Sequence, residues 1–186
     1  MARKGRIEFP GAVYHLLDRG DRREPIVHGD KDRAAFVRTL EQACERAGWR
    51  IHAFVLMSNH YHLLIETPTT NLGNGMQLLH GQYARRFNAR YKRKGHLFEA
   101  RYLSPLVDDN KLARTAAYIV ANPVAAGLCR DAAGWRWGSH AAIVGPDSAP
   151  SWLAHDLLAD KLAASEKPYG ELIATRGRAL VTERLL

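Results

Sequence analysis

The stretch MSNHYHLLIE, Met57 to Glu66, sets two histidines one residue apart in a run that otherwise reads as a buried strand. Alternate side chains of a strand share a face. His60 and His62 therefore project the same way, with Cβ atoms roughly 7 Å apart and within reach of one cation, while Tyr61, Leu63 and Ile65 turn to the opposite face. Taken alone, the pair also fits the solvated face of an ordinary sheet. A zinc site would call for a third and fourth nitrogen or sulfur ligand, and Cys44 and Cys129 lack the spacing to supply them. A hard ion held by few protein ligands and by substrate oxygens, Mg²⁺ or Mn²⁺, fits better.

A second group lies in KLARTAAYIVANP. At helical spacing Lys111, Arg114, Thr115, Tyr118 and Asn122 share one face, and Leu112, Ala116, Ile119 and Val120 fall largely on the other. Tyr118 thus has polar and cationic neighbours. A phenol with an ordinary pKa near 10 is a poor nucleophile at neutral pH, but a nearby metal and a cationic face favour the phenolate. The rival tyrosines Tyr83 and Tyr91 read as members of an apolar helical stripe, and Tyr102 lies at the exit of that helix. A two-histidine metal site, a tyrosine nucleophile and a basic surface together describe transesterification of a nucleic-acid phosphodiester.

The basic surface is concentrated in ARRFNARYKRKGH, residues 84–96, which holds Arg85, Arg86, Arg90, Lys92, Arg93 and Lys94. Cations at this density provide phosphate contacts and a strong salt dependence. Phe87 and Tyr91 within it are assigned to the core stripe, not to base stacking. His96, Glu99 and Arg101 come next, on a segment able to reach base edges, and Arg19 in the first turn is a further candidate.

These groups need a frame to hold them. GAVYHLLD reads as a first strand, and GDKDRAAFVRTLEQACERAGW as a helix with Asp30 as N-cap and Gly48 as stop. RIHAFVLM and HYHLLIET read as a hairpin turning at Ser58-Asn59. A second amphipathic helix runs from Asn71 to about Tyr91, and a short strand comes after it around RYLSPLV. A third helix is capped by Asp108 to Asn110 and closed by Asn122-Pro123. The order β-α-β-β-α-β-α is α+β and ferredoxin-like, an antiparallel sheet with helices mainly on one face. After it comes a loop-rich extension with one or two helices and a linker at residues 145–150. The expected division is residues 1–128 for the chemistry and 129–186 for an extension packed on or appended to it.

Bulk properties agree. The 186 residues suffice for one core, and the 46% hydrophobic and 25% charged fractions are those of a globular protein. With 27 Lys and Arg against 19 Asp and Glu, the net charge is +8 and the pI about 9.8, which favours a polyanionic partner. Two cysteines are too few for a disulfide scaffold and point to a reducing interior. No signal peptide and no membrane-spanning stretch is read from the sequence, so a cytoplasmic, nucleoid-associated location is expected.

His60-Tyr61-His62 resembles the His-hydrophobic-His motif of the HUH single-tyrosine transposases, and within them the REP-associated tyrosine transposases. YHLLDRGDRREPIV is similar to the first strand and turn of that group, GQYARRFNARYKRKGHLFEARYLS to its second helix and the segment after it, and YIVANPVAAGL to its tyrosine helix, so the resemblance spans about Gly11 to Leu128. It implies Tyr118 as the nucleophile and Mg²⁺ or Mn²⁺ on His60 and His62. It also implies Asn122 as a third ligand at a position where relatives often carry glutamine. The implied substrate is single-stranded DNA folded into short palindromic hairpins, nicked and rejoined through a 5′-phosphotyrosine by a monomer or weak dimer. Two other readings of the residues are a noncatalytic nucleic-acid-binding module on the same frame and a metal-dependent phosphodiesterase that uses water.

Overall fold

The computed structural model describes residues 6–140, 149–154 and 170–174. The expected linker lies mostly outside them, as does most of the expected helical tail.

Strands β1 (Ala12–Arg19), β2 (Arg50–Leu56) and β3 (His60–Thr67) form an antiparallel sheet in the order β1-β3-β2. β3 is the central strand and is buried along almost its whole length, which is why its sequence reads as a near-continuous apolar run. Helices α1 (Asp30–Ala47) and α2 (Leu72–Tyr91) pack together on one face of the sheet. Their core takes Tyr14 and Leu16 from β1, Leu56 from β2, and Tyr61, Leu63 and Ile65 from β3. Helix α3 (Leu112–Ala125) covers the other face through a second core with Val13, Val55 and Leu64.

The fourth strand expected around RYLSPLV is not a continuous ladder. Residues 98–106 lie antiparallel along the free edge of β1 and meet it at separate bridges, Tyr14 with Leu106, Leu17 with Leu103 and Gly20 with Phe98. The register changes between Leu103 and Phe98, and Pro105 has no amide to donate, accepting only from His15 N. The segment nevertheless fills the fourth-strand place and completes the ferredoxin-like α+β order.

Three helix ends differ from expectation. Asp108 to Asn110 make no side-chain cap on α3, because Asp109–Lys111 form a 3₁₀ turn ahead of it and Lys111 is the residue that precedes the helix. Asp30 is the first residue of α1 and makes no cap; Gly29 precedes it, and Asp32 Oδ2 accepts from His28 N at 2.9 Å. Pro123 lies inside α3 instead of closing it, and the chain leaves the helix towards Gly127 at φ 72°. The described part of the extension packs on β2: Ala154 N donates to Ile51 O, Gly138 bridges to Val55, and Ile173 joins the α3-side core. Covering this edge removes unpaired backbone groups that would otherwise be open to another strand.

Candidate active site

The pleat sends His60 and His62 to the α3 face of the sheet, as the alternation requires. Their rings stand perpendicular with centroids 5.3 Å apart. Each has its Nδ1 engaged. His60 Nδ1 lies 2.8 Å from Asn59 Oδ1, and Asn59 donates its own amide to Arg23 O, which turns the carbonyl oxygen towards the imidazole. His62 Nδ1 lies 2.9 Å from His15 Nε2. Because β1 pairs with β3 so that Leu17 faces His62 and Arg19 faces His60, His15 is the diagonal neighbour on the same face.

Burial holds the His15 ring neutral, with its pKa pushed down to about 4. His62 is held well below the ordinary histidine range, first by burial and then by its histidine neighbours. A neutral ring at His62 is what metal ligation by that imidazole requires. No cluster of three or more His, Cys, Asp or Glu side chains suited to a metal occurs among the described residues. The donor set therefore fits an ion that keeps open positions for water or phosphate oxygens.

Tyr118 reaches this histidine group from α3. Its ring is half-buried and meets His62 edge-on at 5.8 Å between centroids and His15 at 5.9 Å. The expected polar face of α3 is realised: Lys111, Arg114, Thr115 and Tyr118 line a hollow of about 360 Å³ together with His15. The rival tyrosines are committed elsewhere. Tyr83 is buried with its hydroxyl donating to Ile26 O, Tyr91 donates to Asp32 Oδ2, and Tyr102 is buried beside Arg6. Asn122 is buried, and its amide nitrogen donates to the carbonyls of Tyr118 and Ile119, which leaves Oδ1 as its uncommitted acceptor; it lines neither the hollow nor the cleft beside the histidines.

His60 and His62 also form one wall of a cleft of about 690 Å³. Arg19, Arg23 and Arg101 surround it with Asn59 and Glu99. Arg19 is clamped by Glu99 through a two-point ion pair, which holds the Glu99 carboxyl below its ordinary range. Arg23 sits in a turn whose backbone takes positive φ at both Arg22 and Arg23, a conformation few non-glycine residues adopt.

The basic stretch at the end of α2 borders the same end of the sheet, because Asp21 N donates to Leu97 O and Glu99 N to Arg19 O. Its cations are unequally engaged. Arg93 pairs with Glu24 and Arg90 with Asp32, whereas Arg85 and Arg86 lie along α2 and bond to Gly81 O and Thr39 Oγ1. Lys92, Lys94 and His96 are exposed. Phe87 is buried in the core stripe as expected, whereas Tyr91, expected there too, is exposed and stays outside the core with its hydroxyl donating to Asp32. On α3, Lys111 pairs with Asp108 and Arg114 is exposed.

Sequence reasoning missed His15, Arg23 and Asn59. The parity of β1 places His15 and Arg19 on one face, but only the register against β3 reveals that this is the face of His60 and His62. Arg23 and Asn59 are brought to the cleft by turns, which carry no periodic signal.

The family model described as IS200-like transposase matches residues 9–122. Among solved structures, that of a REP-associated tyrosine transposase bound to a REP hairpin is similar, with a TM-score of 0.64 at 17% identity over 84% of this chain and 93% of that one. A crystal structure of a candidate transposase from Deinococcus radiodurans R1 gives a TM-score of 0.46 at 24% identity over 63% of this chain and 95% of that one. No curated protein matches the chain at a significant level.

Proposed function

The chain belongs to the IS200-like transposase family and has a transposase-like role in DNA processing, and from that premise we propose that it nicks and rejoins single-stranded DNA at palindromic hairpins through a covalent Tyr118 intermediate. The observation that carries the reading is the meeting of Tyr118, on one helix, with His62 of the His60-Tyr61-His62 strand at 5.8 Å between rings. One chain supplies both, so a monomer or weak dimer suffices.

In this reading, the basic groups around the cleft take up the DNA first. Arg101, Arg23 and Arg19 lie at its walls, Lys92, Lys94 and His96 extend the positive field beyond it, and Arg114 and Lys111 stand beside Tyr118. The hairpin as substrate is supported by the fold neighbour, which was solved bound to a REP hairpin. Tyr118 Oη then attacks the scissile phosphorus. A bond forms between phosphorus and the tyrosyl oxygen as the phosphorus to 3′-oxygen bond breaks. The phenolic proton is lost to solvent, and the departing 3′-oxygen takes one up to become a free hydroxyl.

The 5′-phosphotyrosyl ester keeps one phosphoester bond for each one broken, so a second 3′-hydroxyl can reverse the step without an external energy source. His60 and His62, through Nε2, with Asn122 Oδ1 as third donor, are the residues that would hold Mg²⁺ or Mn²⁺. When bound there, the ion supplies Lewis acidity to the phosphate oxygens. Arg114 and Lys111, beside Tyr118, stabilise charge that gathers on the phosphate.

Incubation of the protein with end-labelled single-stranded hairpins and Mg²⁺, followed by a denaturing gel, tests the proposal. A labelled band at protein mass is expected, lost in Tyr118→Phe while that variant still binds the hairpin. Cleavage that persists in Tyr118→Phe would instead make water the nucleophile, and hairpin binding without any cleavage in the wild type would leave a noncatalytic binder.

A further inference from the structure

We propose that His15 is a positioning residue for His62: it accepts the Nδ1 proton of that ring at its own Nε2 and so leaves the His62 Nε2 lone pair facing the cleft for a divalent cation. This rests on the metal reading of the site given above.

The contact is 2.9 Å between His15 Nε2 and His62 Nδ1, a full hydrogen bond that one ring must donate and the other accept. The two directions have opposite chemical consequences. If His15 donates, a neutral His62 carries its proton on Nε2, and the nitrogen pointing away from His15 has no lone pair to give. If His62 donates, Nε2 is the basic nitrogen. A donated N–H on the remote nitrogen is also how metal-bound histidines are normally held, since it fixes the ring plane and raises ligand basicity.

The neighbouring ligand shows which direction the site is built for. His60 Nδ1 faces Asn59 Oδ1, which can only accept, and Asn59 is locked in that orientation by its own donation to Arg23 O. His60 is thereby committed to protonation at Nδ1, with its lone pair on Nε2. His15 in the accepting role gives His62 the same tautomer, so both rings keep the Nε2 lone pair for a ligand. The His15 proton then resides on its Nδ1. His15 is partly exposed and lines the hollow with Lys111, Arg114 and Thr115, where water can take that proton's hydrogen bond.

The edge contact of His15 with Tyr118 gives the arrangement a second consequence. One side chain braces both the metal-side imidazole and the ring of the nucleophile. Any substitution that lets His62 rotate also loosens the wall against which Tyr118 rests.

Long-range ¹H–¹⁵N spectra of the metal-free wild type should show His62 protonated at Nδ1, and Mn²⁺ titration followed by electron paramagnetic resonance should show a single bound ion. His15→Leu, which has no acceptor, should weaken Mn²⁺ binding by about 10- to 100-fold. His15→Gln, which keeps an acceptor oxygen, should recover much of it. A His62 proton on Nε2 in the wild type, or Mn²⁺ binding as tight in a folded His15→Leu as in the wild type, would overturn the inference. Because the tautomer is read on the wild type, failure of a variant to fold leaves it testable. A wild type that binds no Mn²⁺ would bring down the metal reading itself, whereas Mn²⁺ binding with an Nε2 proton would remove only the role of His15.

Discussion

Asn122 donates its side-chain amide to the carbonyl of Ile119 at 3.2 Å, and the backbone nitrogen that would ordinarily serve that carbonyl belongs to Pro123. Proline has no N–H, so a helix that runs through it leaves a buried acceptor without its partner. The asparagine fills the vacancy and also bonds Tyr118 O at 2.9 Å. This explains how α3 continues to Ala125. Asn122→Ala should therefore destabilise the protein by roughly 1–2 kcal/mol. In a Pro123→Ala background, where an amide returns, the same change should cost less, with a coupling of about 1 kcal/mol. Chemical denaturation of the four proteins in the cycle measures it, and strict additivity would mean that the asparagine does not substitute for the missing amide.

The same two residues show what the sequence could and could not reveal. The polar face of α3 was legible because helical periodicity alone sets Tyr118, Arg114 and Asn122 in line. The end of the helix was not, because a proline followed by small residues reads as a stop unless the neighbouring side chain is known to repair the break. His60 and His62 were legible from strand alternation, which depends only on the local chain. Their partner His15 was not, since its place depends on the register of β1 against β3, a relation between residues 47 apart in sequence. The fourth strand failed for a similar reason: its residues favour extension, but Pro105 and the change in register break the ladder.

Behind the histidine strand, Tyr61 OH lies 2.6 Å from His80 Nε2, and His80 Nδ1 lies 3.9 Å from Asp18 Oδ2, a buried oxygen with no hydrogen-bond partner. Burial moves the two titratable groups in opposite directions, His80 down to about 4 and Asp18 up to about 6, the latter despite a hydrogen bond from Arg19 N. A lowered His80 pKa means that the unfolded chain binds the proton first, so stability is lost as pH falls from about 6.5 towards 4. A raised Asp18 pKa acts the other way: the folded state gains stability relative to the unfolded chain as pH falls from about 6 towards 3.8. Asp18→Asn should thus stabilise the protein at pH 7.5 by roughly 1–3 kcal/mol. It should also steepen the loss of stability between pH 6.5 and 4, because the offsetting group is gone. Urea unfolding across that range checks both signs, and a variant less stable than the wild type at pH 7.5 would show that the Asp18 charge is compensated.

Arg19 and Glu99 close one side of the cleft as an ion pair whose members are about half and two-fifths exposed. Exposed pairs of this kind hold weakly in water, and a DNA phosphate offers Arg19 the same bidentate geometry. If the hairpin is taken up in this cleft, as proposed, the carboxylate is a stand-in for a phosphate that the DNA has to displace. Glu99→Gln should bind a single-stranded hairpin more tightly at low salt. The salt dependence of log Kd should steepen by about 0.7, the increment for one further phosphate contact on a single strand. In an Arg19→Ala background, Glu99→Gln should leave the slope of the salt dependence unchanged, because the group it releases is absent. Fluorescence anisotropy from about 50 to 300 mM KCl, the range over which such phosphate contacts weaken, separates these outcomes. Equal slopes for the wild type and Glu99→Gln would take Arg19 out of the DNA contact and leave the pair a purely structural link between β1 and the segment after α2.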